Sequence, residues 1–159
     1  MTRGRQRRGG FTLIELVIVL TLSAIMMSFA GLALGQYFGR ASARRAAQLF
    51  SQDLTQARMF AVRAREPVVV RFFEGGLRYE IATRDTGTEI VQRRFTNSDG
   101  IDLSAISLDL DGDSVVFNRR GFADLSGTSG SLGVASFSAG SASYEVSFNS
   151  LGASRIDAP

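Results

Sequence analysis

The hydrophobic residues of this 159-residue chain are concentrated in one early stretch. Residues 11–39 form an apolar run whose only charged residue is Glu15. A helix of about 20 apolar residues is long enough to cross a bilayer. Because the run at 11–39 exceeds that length, it predicts a membrane-spanning helix.

The next segment, 40–66, changes to an amphipathic helical pattern. Small and apolar residues recur at steps of three and four from Ala46 to Val62, and polar residues occupy the other face. This stripe is interpreted as the core-facing side of the helix. Pro67 disfavours helical conformation at Glu66, so the helix is predicted to end there.

Beyond Pro67 the periodicity becomes that of short β-strands. Val68–Phe73 is β-branched and aromatic, Leu77–Ala82 alternates apolar and polar residues, and Glu74–Gly76 predicts a hairpin turn between them. Further strands are predicted at Glu89–Phe95, Val115–Asn118, Gly133–Ser138, Ser143–Phe148 and Ser154–Asp157. Seven short strands at this spacing predict an antiparallel sandwich or two small sheets. The predicted fold class is α+β, a long transmembrane and amphipathic helix packed on a C-terminal antiparallel β-sandwich at 67–159.

Residues 1–10 form a basic leader ahead of the apolar run. The leader has no acidic residue and four arginines, namely Arg3, Arg5, Arg7 and Arg8. Arginines next to a span favour the cytoplasmic side, so the leader is expected in the cytoplasm and the rest of the chain beyond the membrane. A secretory signal peptide has a shorter apolar core followed by a small-residue cleavage site, and this pattern differs.

Glu15 is the anomaly of the apolar run. An unpaired carboxylate in hydrocarbon costs on the order of 3 kcal/mol, so Glu15 needs a positively charged partner. Cleavage after Gly10 would supply one, because it exposes a new α-amino group on Phe11 of the same chain or of a neighbour. Without that cleavage the amine does not exist.

The string GFTLIELV at residues 10–17 resembles the processing signature of type IV pilin-like proteins. In that family a prepilin peptidase cuts after the glycine and the next residue is N-methylated, which the resemblance assigns to Gly10 and Phe11. The acidic residue, here Glu15, supports assembly into a helical filament. The resemblance implies prepilin peptidase and other pilin-like subunits as partners, and a single-pass location in the inner membrane.

The later segments resemble H-type minor pseudopilins of type II secretion and the related FimT-like minor pilins. The resemblance rests on residues 54–63, 116–121, 144–148 and 151–155. It implies a pilin-like fold with a periplasmic β-rich domain. It also implies a structural subunit of a periplasmic pseudopilus, in contact with minor and major pseudopilins and with secreted cargo. The alternative is a FimT-like subunit that binds DNA or surfaces at a pilus tip.

The arginine distribution bears on the DNA-binding alternative. Without residues 1–10, 14 arginines face 15 acidic residues, so the side-chain charge falls from +3 to −1. FimT-like DNA binders carry a Gly-Arg-x-Arg motif, and the matching segment Gly152–Arg155 lacks one arginine. Arg119 and Arg120 could supplement Arg155, but the surrounding region is net acidic, which weakens attraction to phosphates. DNA is therefore an unexpected partner.

Charge is also polarised along the chain. Residues 40–94 contain 11 arginines and six acidic residues, whereas residues 95–159 contain three arginines and eight acidic residues. The pattern fits either ordinary solvated faces or electrostatic contact between neighbouring subunits.

Gly31, Gly35 and Gly39 are spaced by four residues. On a helix they would form one smooth face for close helix packing. Alternatively, each glycine weakens the helix by about 1 kcal/mol relative to alanine and gives a flexible segment. Both interpretations stay open.

The composition argues against an enzyme or a cofactor site. The chain has no His, Cys or Lys, so the usual nucleophile–base pairs cannot be built. The acidic segment Asp109–Asp113 could bind a hard cation, but an EF-hand starting at Asp109 needs a glutamate where Arg120 stands. The segment is interpreted as a turn between strands, and neither a metal nor another cofactor is expected.

Overall fold

The computed structural model describes residues 12–96, 100–126, 128 and 131–158. The helix α1 runs from Leu13 to Ala64 and corresponds to the helix predicted at 11–66. It ends where Arg65 adopts a left-handed conformation, with a φ of 55°, shortly before Pro67. Among the described residues, no helix has both the length and the apolar character required to cross a membrane.

The chain divides into two compact units, Met1–Gly35 and Gln36–Pro159. In the first unit, the large apolar side chains between Leu13 and Met27 are 47–82% exposed. Such a continuous exposed apolar surface marks contact with lipid or with another protein.

In the second unit, the described residues form a five-stranded sheet in the order β3-β2-β1-β5-β6 and a four-stranded sheet in the order β4-β7-β8-β9. The strands are β1 Val68–Phe73, β2 Arg78–Thr83, β3 Glu89–Arg94, β4 Ala105–Leu108, β5 Ser114–Phe117, β6 Ala123–Asp124, β7 Leu132–Ala139, β8 Ala142–Asn149 and β9 Ser154–Asp157. Every recorded strand pair is antiparallel. The predicted α+β class is confirmed.

The strand predictions agree with the structure to within one residue at each end, and two strands were missed. Leu77 was predicted to start β2, but it takes a left-handed conformation that closes the turn after Glu74–Gly76, so the strand begins at Arg78. The missed strand β4 has exposed Ala and Ser on its outer side, which are weak strand signals. The missed β6 has only two residues and depends on its pairing with β5.

Phe50 of α1 packs against both sheets. Its ring centroid lies 5.3 Å from those of Phe72 and Tyr79 in the five-stranded sheet. It also lies 5.4 Å from Phe137 and 6.2 Å from Phe148 in the four-stranded sheet. Aromatic rings at these separations attract each other beyond the burial of their area. One helical side chain therefore joins the two sheets in a single core.

Small residues bring α1 close to the sheets. The buried stripe of the helix consists of Ala43, Ala46, Ala47, Phe50, Leu54, Ala57 and Ala61. Val62 was predicted to belong to this stripe but is exposed. It follows the buried Ala61 directly, so its side chain points away from the stripe. Gly39 continues the close approach: a Cβ atom there would lie only 2.9 Å from the carbonyl oxygen of Ala139.

Candidate functional site

The first turn of α1 has the hydrogen bonding of an N-terminal cap. The side-chain Oγ1 of Thr12 accepts a hydrogen bond of 3.3 Å from the backbone N–H of Glu15. The Leu16 N–H donates to the Thr12 carbonyl oxygen at 3.2 Å. A threonine at the cap and a glutamate three residues later form the capping-box sequence, and a negative charge is favourable at this helix end. Sequence reasoning missed this role of Thr12, although the Thr-x-x-Glu spacing was visible.

The carboxylate of Glu15 is available for a partner outside the described residues. Its side chain is exposed, and the described part of the chain gives it no ion pair. Its predicted partner, the amine of Phe11, and the predicted cleavage residue Gly10 lie outside the described residues. The pairing therefore stays a prediction.

The three spaced glycines have different surroundings. Gly31 and Gly35 lie within α1, and among the described residues nothing lies within 4 Å of a Cβ added at Gly35. Gly39 instead faces the backbone of β7, where an added methyl group would collide with Ala139. Gly39 therefore has a packing role inside its own chain, while helix packing at Gly31 and Gly35 stays a prediction.

Asp53 is a buried carboxylate that joins α1 to the five-stranded sheet. The Tyr79 hydroxyl donates to its Oδ2 at 2.8 Å. The Arg93 guanidinium donates from Nε to Oδ2 at 2.9 Å and from Nη2 to Oδ1 at 3.2 Å. Such a two-point arrangement is strong and directional. The sequence signal was an acidic residue on the apolar stripe, which requires a partner.

This network changes the proton affinities of its members. Burial, and then the negative charge of Asp53, raises the pKa of Tyr79 well above its usual value. The hydrogen bond to Asp53 raises the pKa of Arg93. Tyr79 therefore stays neutral and Arg93 stays charged over the physiological pH range.

The three arginines considered for DNA contact lie at two separate places in the fold. Arg155 belongs to β9, at the edge of the four-stranded sheet, and its Nε lies 2.9 Å from Oδ1 of Asp157. Arg119 and Arg120 lie in the turn between β5 and β6. Arg119 pairs with Asp85 at 3.3 Å. Because two of the three arginines have carboxylate partners in the chain, their attraction for phosphates is reduced.

The acidic segment Asp109–Asp113 contains a single turn of 3-10 helix at Asp111–Asp113, in which Gly112 has a φ of 71°. Among the residues that the structure describes, no group of three or more His, Cys, Asp or Glu side chains could hold a metal ion.

The fold is shared with solved minor subunits of secretion and pilus systems. The minor pseudopilin EpsH of Vibrio cholerae is 16% identical with a TM-score of 0.57, over 76% of this chain and 96% of that one. The type IV minor pilin FimU of Pseudomonas aeruginosa PAO1 is 14% identical with a TM-score of 0.53, over 77% and 92%. At these identities the likeness concerns the fold alone.

Sequence comparison identifies the family. Residues 5–31 match the prokaryotic N-terminal methylation motif. No curated protein matches the chain. Residues 46–152, more than half of the chain, match the family model described as type II transport protein GspH. The chain therefore belongs to the GspH family of type II transport proteins.

Proposed function

We propose that this chain is a minor pseudopilin that is stored in the inner membrane, cut after Gly10, methylated at Phe11 and then assembled into a periplasmic pseudopilus. The observation that carries the proposal is the order of the two matches. A methylation motif at 5–31 precedes a GspH segment at 46–152 in the same chain. A processed membrane-inserted terminus followed by a folded domain is the arrangement that such a subunit requires.

The exposed apolar surface of the first unit gives the physical reason for storage and assembly. Side chains from Leu13 to Met27 cannot remain in water, because burial of a large apolar side chain contributes about 1.5–3 kcal/mol. Lipid covers this surface before assembly, and the helices of neighbouring subunits cover it afterwards. Prepilin peptidase and other pseudopilins are the partners that this cycle needs.

Glu15 is expected to be less favourable in lipid than in the assembled filament. In lipid its carboxylate is unfavourable unless it is protonated or paired. The α-amino group of a processed Phe11 neutralises it, from the same chain or from a neighbour. Pairing with a neighbour would favour entry into the filament and would fix the axial position of each new subunit.

The proposal is tested by the mass of the chain after extraction from membranes. Co-expression with prepilin peptidase should remove residues 1–10 and add one methyl group to Phe11. The Gly10→Val variant should keep the full mass, since the peptidase requires a small residue before the cut. A chain that retains Met1 in the presence of active peptidase contradicts the proposal.

A further inference from the structure

The part of α1 that follows the apolar run carries an exposed basic surface beside β8. We call it the arginine patch, and a shallow groove runs along it. The patch is formed by Tyr37, Arg40, Arg44, Arg45, Gln48 and Tyr144. The five helical members are exposed, and Tyr144 is half-buried. Tyr37, Arg40, Arg44 and Gln48 follow one another at steps of three and four residues along α1 and share one face, and Arg45, three residues before Gln48, adjoins that face.

Within the described residues, the positive charge of the arginine patch is uncompensated. None of Arg40, Arg44 and Arg45 has an ion pair among the described residues. The sequence contains no acidic residue between Leu16 and Gln52, so α1 itself provides no counter-charge nearby. Arg40 and Arg44 are also four residues apart, where like charges repel and weaken a helix. An anion from elsewhere that lies against the patch would offset this repulsion.

The location of the patch indicates which anion it meets. Arg40 directly follows the apolar run at 11–39. Arg45 lies about 7.5 Å beyond Arg40 along the helix axis, at 1.5 Å per residue. The headgroup layer extends about 5–8 Å beyond the hydrocarbon core on each side of a bilayer. Since arginine side chains can bend back toward the membrane surface, all three guanidinium groups can reach the depth of the lipid phosphates.

Aromatic residues beside the arginines support a membrane interface. Tyr37 and Phe38, at the end of the apolar run, are 67% and 59% exposed. Aromatic side chains with a polar neighbourhood are enriched at the level of lipid headgroups.

The arginines also work against the orientation of the chain. Basic residues close to a span favour the cytoplasmic side, but these three lie on the side expected to be exported. The leader has four arginines on the cytoplasmic side of the span and the patch has three on the other side, so the leader exceeds the patch by only one positive charge. The presence of the patch arginines is easier to explain if they bind a ligand at the outer surface of the membrane.

We propose that the arginine patch binds the phosphate groups of anionic phospholipids in the outer leaflet of the inner membrane. The proposal rests on the membrane location given under the proposed function. Planar guanidinium groups bind phosphate oxygens at two points, and three of them on one face can hold one or two headgroups. The contact would hold the unassembled subunit at a fixed depth.

The test uses the full-length chain, purified in detergent and mixed with equal amounts of phosphatidylglycerol and phosphatidylcholine. Native mass spectrometry counts the bound lipids of each kind. The wild-type chain should prefer phosphatidylglycerol. Replacing Arg40, Arg44 and Arg45 by Gln should weaken phosphatidylglycerol binding about fivefold for each arginine, and about a hundredfold for all three.

A matched control removes the same charge elsewhere. Arg63, Arg65 and Arg94 are exposed and have no ion pair among the described residues, and their triple Gln variant should keep the preference. The triple Lys variant of the patch keeps the positive charge but not the two-point geometry, so its binding should fall less than that of the triple Gln variant. It thereby separates lost charge from disturbed folding.

Other results overturn the proposal. Equal phosphatidylglycerol binding by the triple Gln variants of the patch and of the control would contradict a lipid site at the patch. Lost association of the patch variant with sibling pseudopilins, with lipid binding unchanged, would assign the patch to a protein contact. A chain that carbonate releases from membranes would overturn the membrane location as well, whereas an inserted chain without lipid preference would overturn the patch alone.

Discussion

The two units of the chain use the same kinds of apolar residue in opposite ways. Between Leu13 and Met27 the large apolar side chains are exposed, whereas Phe50 and Leu54 further along α1 are completely buried. The first surface must be covered by something outside the chain, and the second is covered by the chain's own sheets. We therefore expect contacts with lipid or other chains to depend on the first unit, and the stability of the folded domain to depend on the second.

The two units also treat a carboxylate differently. Asp53 is buried and receives hydrogen bonds from Tyr79 and Arg93. Glu15 has an exposed side chain with no ion pair among the described residues. The comparison teaches that a satisfied carboxylate holds the domain together, while an unsatisfied one on the same helix is available for a partner.

Phe50→Ala should give the largest change in stability. Loss of the ring removes contacts with four aromatic residues in two sheets and leaves a cavity, so the free energy of unfolding should fall by about 3–5 kcal/mol. Chemical denaturation of the full chain in detergent measures it. Phe122→Ala, at an exposed position, should cost less than about 1 kcal/mol. Similar losses for both variants would contradict the central place of Phe50.

Arg93→Gln should give the next largest loss of stability. It leaves the Asp53 carboxylate buried without its charged partner, and we expect a loss of about 2–3 kcal/mol, since Arg93 is itself partly exposed. The control is Arg71→Gln, which breaks the exposed pair with Glu80 and should cost less than about 1 kcal/mol. Equal losses of stability in the two variants would mean that burial of Asp53 does not make its ion pair more important than the exposed one.

Alkaline pH should destabilise the second unit through Tyr79. Its pKa is raised in the folded state, so the unfolded chain loses this proton first as the pH rises. The free energy of unfolding should therefore be unaffected by this group below about pH 10, and should fall by about 1.4 kcal/mol per pH unit above it. In Tyr79→Phe this part of the decline should disappear. If the free energy of unfolding declined in parallel with pH in the wild type and in Tyr79→Phe, Tyr79 would not contribute to the alkaline loss of stability.

The smallest expected difference concerns two glycines of α1. Gly35→Ala has open space and should strengthen the helix by up to about 1 kcal/mol. Gly39→Ala gains the same propensity but collides with the Ala139 carbonyl, so it should be less stable than Gly35→Ala by about 1–2 kcal/mol. Thermal unfolding of the two variants side by side provides the measurement. A Gly39→Ala protein as stable as Gly35→Ala would show that β7 can move away.

Local periodicity explains why much of the fold could be predicted. The helix and seven strands follow from spacings of about 3.6 and 2 residues, which neighbouring residues determine. The left-handed Leu77 and the two-residue β6 depend on contacts that no local pattern records. The order of strands in the two sheets likewise depends on pairings between distant segments.

The candidate sites divide in the same way. Gly10, Phe11 and Glu15 stand in a contiguous motif, so the sequence alone could propose them as processing and assembly residues, and these roles stay predictions. The Asp53–Arg93 pair joins residues 40 positions apart, and only the packing of α1 on β3 brings them together. Likewise, the sequence indicates three arginines without acidic neighbours, but their common face beside Tyr144 requires the folded chain.

Incorporation of Glu15 and Thr12 variants into the pseudopilus tests the central claim most directly. Glu15→Gln keeps a residue suited to the helix cap but removes the charge, whereas Thr12→Val removes the cap hydrogen bond and keeps the charge. If the carboxylate acts by pairing with the amine of Phe11, processed Glu15→Gln subunits should be largely absent from sheared filaments, while Thr12→Val subunits should enter them. Normal incorporation of Glu15→Gln would contradict the account.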